Sequence, residues 1–410
     1  MDTDAPPADS TNANPINTSS SRSTPNASAK YNSLNEMPTT LDDLRHLAVK
    51  QTLFRPTTLK LALRKFGFVQ ADPIRSPARA QDLILRHRVK DYRAGDLERN
   101  YARLGVEEDF FINYGFVTKS VQAMMHPRAD CRYPAQSRVP WSASQNKRVQ
   151  LLFDFVRERG EVHPRDADVH FSHGKVKNYW GGNSNATTHL LDAMHYQGLL
   201  RVARRENGIR VYALQEHGPG PSDEAACRAR LDALIDVAVR IYAPLPRTSL
   251  VSLVRRVRAA APQWEDQLTS AVQRAKQRYS TVHHNKIDWY LAHETNDETR
   301  SARYEPQNQD TVRLLAPFDP IVFDRYRFEL LWGWAYRFEA YTPVSKRKLG
   351  YYAMPLLWRE RIIGWANLSV KNGGLKSEFG YVKSQPNDRV FKRELDAEVD
   401  RVRAFLGLHA

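Results

Sequence analysis

The sequence predicts an α+β chain in which tandem helical units, each closed by a short antiparallel hairpin, lead into a small, barrel-like β-rich domain at the C-terminus. Three observations predict it. Residues 143–216 read helix, turn, helix, then a hairpin turning at Asn207-Gly208, a dipeptide that supplies the positive φ values of a two-residue turn. Residues 222–292 repeat that order of elements. After residue 310, helical spacing gives way to short aromatic-rich runs separated by turn residues, the texture of a small sheet or partly closed barrel. Helix, turn, helix, basic hairpin is the order of a winged helix. The expected organisation is therefore a tail at 1–38, three winged-helix units at 39–142, 143–216 and 217–292, a linker at 293–310 and a β-rich domain at 311–410.

The tail is Ser, Thr, Asn, Pro and Ala with almost nothing apolar. Such a segment buries too little surface to offset its ordering entropy and is expected to be disordered. It lacks the apolar core of a secretory signal and the Arg-rich character of a transit peptide. Order begins at Thr40, a fitting N-cap for Leu41, Leu44, Leu47 and Ala48. Thr57 or Thr58 caps a second helix that ends at Gly67. Residues 68–72 follow as a strand stopped by Pro73, and Arg79 to Val89 as a helix carrying Arg86-His87-Arg88. In the second unit, Lys147–Arg159 and Thr187–Gln197 are helices, 181–185 is a turn, and the hairpin spans 199–214. In the third, Ser222 caps a helix through Ala243, helices follow at 248–260 and 264–278, and Tyr279–Leu291 turns at Asn285. Beyond the linker, Leu314–Phe323, Tyr336–Tyr341, Leu349–Met354 and Ile362–Val370 are strand candidates, and Phe391–Leu406 is a closing helix.

Charge narrows the partners. The 410 residues carry 61 Lys+Arg against 46 Asp+Glu, a net +15. The tail contributes none of that excess. Asp2, Asp4, Asp9 and Glu36 outweigh Arg22 and Lys30 by two, so residues 39–410 carry +17. A folded body this basic favours a polyanion, and nucleic acid is the commonest. The hairpin at 199–214 holds Arg201, Arg204, Arg205 and Arg210 against one acid, Glu206, which points to phosphate contact. Lys175 and Lys177 ahead of it, and Lys346-Arg347-Lys348 on a loop between strands, extend the expected DNA-binding set. No apolar run approaches the roughly 18 residues of a membrane span. Two cysteines, Cys131 and Cys227, fit a reducing compartment. No Walker A loop, dinucleotide fingerprint or zinc-spaced Cys/His cluster is present, so neither a nucleotide cofactor nor a metal is expected. The adjacent His283-His284 would face opposite ways on a strand and make a poor metal site.

One spacing carries possible chemistry. Gln70 and Asp72 stand at i and i+2 ahead of Pro73, so on a strand both would point to one face. Lining a cleft, the carboxylate could take a water's proton or stabilise positive charge while the amide orients the water. The same spacing fits a solvent-facing edge strand, and spacing alone does not separate the two.

Several segments together resemble the YcaQ/AlkZ-type winged-helix DNA glycosylases. They are Gln70-Ala71-Asp72-Pro73-Ile74 with Arg79-Ala80 and Leu83-Ile84-Leu85; Gly198 to Leu214; Leu314 to Asp319 with Asp324-Arg325; and Tyr336 to Pro343 with Lys346-Arg347 and Gly350-Tyr351-Tyr352. The resemblance implies three winged-helix units and a C-terminal barrel around duplex DNA, with Gln70 and Asp72 as the catalytic pair. This chain looks like the family's Gln-x-Asp branch, associated with alkylated purines and with unhooking of interstrand crosslinks. It departs from the family at Gln81-Asp82, where a His-His pair is common. It departs again at Phe111-Ile112-Asn113-Tyr114, in place of a Glu-Tyr-Trp-x-His segment, and at Trp365-Ala366-Asn367-Leu368, where Asp and Lys are common.

The expected function is therefore a monofunctional DNA N-glycosylase that hydrolyses N7-substituted purines, acting as a cytoplasmic, nucleoid-associated monomer on double-stranded DNA. The alternative is a non-catalytic winged-helix DNA-binding protein, in which the Gln70–Asp72 segment would face solvent away from the basic surface.

Overall fold

The computed structural model describes residues 39–128, 142–171, 174–177, 183–293 and 310–408. The expected tail and most of the expected linker lie outside these residues, as do Cys131 and Gly181-Gly182. The described residues form one compact unit.

The first segment is set by local chemistry. Helix α1 (Leu41–Thr52) starts at a reciprocal capping box between Thr40 and Asp43, which satisfies two orphan backbone donors. Helix α2 (Leu59–Phe66) is capped by Thr58 and ends at Gly67, whose φ of 74° is left-handed. Strand β1 is Phe68–Gln70. It is shorter than the expected 68–72, because the chain turns at Asp72: the Asp72 carboxylate accepts from the Ile74 N–H at 2.9 Å. Helix α3 is Ala80–Leu85, and the Arg86-His87-Arg88 run lies in the turn after it. Helix α4 (Asp96–Arg99), strands β2 (Val106–Phe110) and β3 (Tyr114–Thr118) and helix α5 (Lys119–Met125) complete the segment. The three strands form an antiparallel sheet in the order β1-β3-β2.

The second segment contains α6 (Ala143–Arg159), β4 (Glu161–Val162), α7 (Pro164–Phe171), β5 (Lys175–Lys177), β6 (Asn183–Asn185), α8 (Ala186–Gln197), β7 (Leu200–Glu206) and β8 (Ile209–Leu214). Asn183–Asn185, expected in a turn, instead pairs with β5. Sheet order is β4-β8-β7. The hairpin turns where expected, with Asn207 and Gly208 at φ 50° and 85°. Leu152, Val156, Leu191, Met194, Val202 and Tyr212 pack into a core of their own.

The third segment contains α9 (Glu224–Tyr242), β9 (Leu245–Pro246), α10 (Arg247–Arg256), α11 (Leu268–Arg278), β10 (Thr281–His284) and β11 (Ile287–Tyr290). The cap of α9 is Asp223, not Ser222: its carboxylate accepts from the Ala226 N–H. The antiparallel sheet has the order β10-β11-β9. Helix α9 is buried through Leu231, Leu234, Ala238 and Ile241, and shares the main core with the first segment.

The C-terminal segment departs most from expectation. Its strands are β12 (Arg313–Leu314), β13 (Met354–Trp358), β14 (Arg361–Lys371) and β15 (Gly374–Tyr381), in the antiparallel order β12-β13-β14-β15. The ends of this sheet do not pair with one another, so it is an open meander and not a barrel. Residues 315–323 are turns; Tyr336–Tyr341 and Leu349–Ala353 are irregular; Arg325–Trp332 is a helix, α12. Aromatic runs read as strands because both need apolar burial. Here the burial comes from side-chain packing among Phe328, Trp334 and Tyr336. Helix α13 (Arg389–Leu406) closes the chain, burying Phe391, Leu395, Val402 and Phe405. No helix of the described residues is long and apolar enough to cross a membrane.

Candidate active site

Strand β1 delivers Gln70 to an aromatic wall built by the opposite end of the chain. Gln70 is 7 % exposed and lines a small pocket with Phe66, Phe68, Tyr242 and Phe318. The Phe318 ring meets Phe338 edge-on at 5.1 Å, and Phe338 in turn touches Tyr352 at 5.3 Å and Tyr341 at 6.1 Å. The charge of Asp72 reaches the same wall: burial first, and then the Asp72 carboxylate, raises the phenol pKa values of Tyr341 and Tyr352. Gln70 and Asp72 therefore border one aromatic surface. The fully buried Tyr352 hydroxyl has no hydrogen-bond partner among the described residues.

The wall is fixed from a distance. Arg88 and Asp319 are fully buried and joined by two hydrogen bonds, of 2.7 and 3.0 Å. Arg86 and His87 both donate to the Leu314 carbonyl, each at 2.9 Å. The Arg86-His87-Arg88 run thus pins residues 314–319, and with them Phe318, beside β1. On the other flank, Glu339 accepts from the backbone N–H groups of Lys348, Leu349 and Gly350. Asn367 donates to the Leu349 carbonyl at 2.6 Å and accepts from the Tyr352 N–H. A Cβ at Gly350 would collide with that Asn367 side chain. The loop bearing Tyr341 and Tyr352 is held at both ends.

Asp72 is half-buried and forms no ion pair among the described residues. Burial raises its pKa above the usual carboxylate range, while the Ile74 N–H pulls it down. An unneutralised carboxylate near aromatic side chains is suited to a cation, since both attract positive charge.

Asn113 is the site residue that sequence spacing missed. Its Nδ2 donates to Gln70 Oε1 at 3.1 Å. It sits in the β2–β3 connection, where β3 approaches β1 closely. Gly115 is the register partner of Gln70, and a Cβ there would lie 2.3 Å from the Val69 carbonyl oxygen. Of the other departures, Gln81 is buried, and its Oε1 has no partner among the described residues. Asp82 accepts from the Tyr92 hydroxyl at 2.7 Å and from the Gly95 N–H.

Each of the four hairpin arginines has an acidic partner in the structure. Arg205 grips buried Glu108 through Nε at 2.7 Å, and Arg210 pairs with Asp192 at 2.6 Å and lies over the Tyr114 ring. Arg204 pairs with Glu161 and Glu206, and Arg201 lies 3.4 Å from Glu107. Counting acids within the hairpin alone found only Glu206; β2, β4 and α8 supply the rest. Arg205 and Arg210 tie the hairpin to β2 and β3, the strands on either side of Asn113. Lys346 and Lys348 are exposed without an ion pair among the described residues. Arg347 donates to the Thr342 carbonyl at 2.8 Å and stacks on Tyr351. Lys175 is exposed, and the Lys177 side chain lies outside the described residues. His283 and His284 take separate partners, Asp288 and the Thr39 carbonyl.

The family model described as DNA glycosylase AlkZ-like matches residues 63–405. The chain belongs to the AlkZ-like DNA glycosylase family. The matched span holds Gln70, Asp72, Asn113, the aromatic wall and the hairpin. The fold is also similar to that of the Streptomyces sahachiroi DNA glycosylase AlkZ, with a TM-score of 0.57 and 13% identity over 91% of this chain and 98% of that one.

Proposed function

We propose that this chain is a monofunctional DNA N-glycosylase for N7-alkylated purines, able to unhook interstrand crosslinks at N7, and that its first three segments act as winged-helix units on duplex DNA. The observation that carries this reading is Gln70 lining a pocket with Phe318, next to an Asp72 carboxylate that has no ion pair among the described residues and lies near enough to Tyr341 and Tyr352 to add to burial in raising their phenol pKa values. An N7-alkyl purine is cationic, so it suits aromatic faces and a carboxylate. It is also a good leaving group. When the C1′–N9 bond breaks, its electron pair neutralises the purine and the cationic charge moves to the sugar. Asp72 stabilises that oxocarbenium-like centre. A water forms the new C1′–O bond and gives its proton to Asp72, which releases it to solvent. Gln70 orients the water. Water suffices as nucleophile, so the product is an abasic site in an intact strand. Lys346 and Lys348 are proposed to meet phosphates on the same rim, with Arg347 bracing their loop; Lys175, Lys177, Arg201 and Arg204 are proposed as outlying contacts.

The test is single-turnover incubation with duplex DNA containing one N7-methylguanine. Released 7-methylguanine, with strands that break only after alkali, is the expected result. A crosslinked N7–N7 duplex resolved on a denaturing gel tests unhooking. Failure to release any N7-alkyl purine would overturn the reading.

A further inference from the structure

Gln70 is an amide, and its two ends offer opposite chemistry: Oε1 accepts a hydrogen bond and Nε2 donates. Which end faces the site decides what Gln70 can do there. Asn113 donates to Oε1 at 3.1 Å. No described residue accepts from Gln70 Nε2, and a buried, unpartnered nitrogen is not found there either.

We infer that Asn113 is a positioning residue that fixes the polarity of the Gln70 amide, so that Gln70 presents a donor beside the Asp72 acceptor. This rests on the glycosylase reading above and deepens it. A water between them accepts from Gln70 Nε2 and donates to Asp72, leaving its second lone pair for C1′. With the amide reversed, the water would donate to both Gln70 and Asp72, and no donor would hold its oxygen in line with C1′.

The backbone holds Asn113 for this task. The Phe111 N–H donates to the Asn113 carbonyl at 3.0 Å, and the Ala71 N–H donates to the Tyr114 carbonyl at 3.0 Å. These bonds close the connection between β2 and β3 and tie it to the residue after Gln70. Gly115 lets the strands approach at that register. On the neighbouring residue, the Tyr114 hydroxyl donates to Glu108, and Arg205 grips the same carboxylate. The connection is braced on both sides of Asn113, which keeps that side chain within reach of Gln70.

The substitution Asn113→Asp tests this, because a carboxylate cannot donate. Gln70 would then turn Nε2 toward residue 113 and Oε1 toward the site. The expected result is a fall of at least about tenfold in the single-turnover rate of 7-methylguanine release, with little change in the half-saturating enzyme concentration. Made in a Gln70→Ala background, Asn113→Asp should cause no further loss, because a residue that acts through Gln70 is silent without it. Asn113→Ala, which adds no charge, should follow the same non-additive pattern with a smaller loss. An equal loss in both backgrounds, or no loss beside intact Gln70, would overturn the inference while leaving the glycosylase reading standing. Unfolding of both variants would overturn it too, by making Asn113 a structural residue. A wild-type chain that releases no base would overturn the glycosylase reading itself, and this inference with it.

Discussion

Replacing Asp72 by Asn removes one negative charge and almost nothing else. The Ile74 N–H, which Asp72 accepts at 2.9 Å, finds the same acceptor in an asparagine Oδ1, so the turn before Pro73 is kept. The charge matters through its distance to the developing cation. Two unit charges about 4 Å apart attract by about 1 kcal/mol in water and about 4 kcal/mol at an effective dielectric constant of 20. Asp72 is half-buried and unneutralised by any described ion pair, so its contribution falls between these limits, at about 2–3 kcal/mol. That is roughly a hundredfold in rate. Stability should move the other way. Burial raises the Asp72 pKa, so the folded chain binds this proton more tightly than the unfolded one. Between the unfolded value and the raised folded value, ionisation costs stability, and above that window the cost is complete. Asp72→Asn removes it, so the melting temperature should hold or rise. Base release by the wild type should decline as pH falls through the raised pKa, and the variant should lack that limb. The assay is single-turnover release of 7-methylguanine across pH, beside thermal melting. Full activity in the variant would refute the reasoning, and so would an acid limb that survives the substitution.

The remaining predictions concern charge elsewhere. Arg205→Ala should act on stability before it acts on DNA, because it strands Glu108, which is 1 % exposed; removing one partner of a buried pair costs about 3–5 kcal/mol, and thermal melting checks it. Lys346→Ala with Lys348→Ala should leave melting unchanged, weaken binding to all duplexes alike and flatten the salt dependence, with a slope smaller by about two phosphate contacts, measured by salt titration. His126, against Asp109 at 2.8 Å, is pushed by burial and by Arg128 down to about 4. The unfolded chain therefore takes up that proton first, so the stability His126 contributes is complete above about pH 6.5 and is lost as pH falls toward 4. His126→Gln should flatten that part of a melting-temperature profile.

Local features were legible because local chemistry sets them. Thr40, Thr58 and Gly67 bound their helices through their own side chains or backbone angles. Asn207-Gly208 and Asn285 turn their hairpins because few other residues accept positive φ. Helix α13 shows in its apolar spacing. Gln70 and Asp72 were legible as a pair, although Asp72 lies just past the strand end. Three things were decided only by the tertiary structure. Strand β2 carries three successive acids, Glu107, Glu108 and Asp109, and all three are buried. Their partners, Arg201, Arg205, Arg128 and His126, come from elsewhere in the chain. Most acidic partners of the hairpin arginines are likewise invisible to a charge count within one segment, because β2, β4 and α8 supply them. The aromatic wall reaches Gln70 only because Arg88 meets Asp319 across 231 residues of sequence. Each half of that ion pair looks like an ordinary surface charge until folding removes water from both. Periodicity and capping report what a residue does for its neighbours in sequence, whereas the neutralisation of a buried charge depends on which distant segment packs against it.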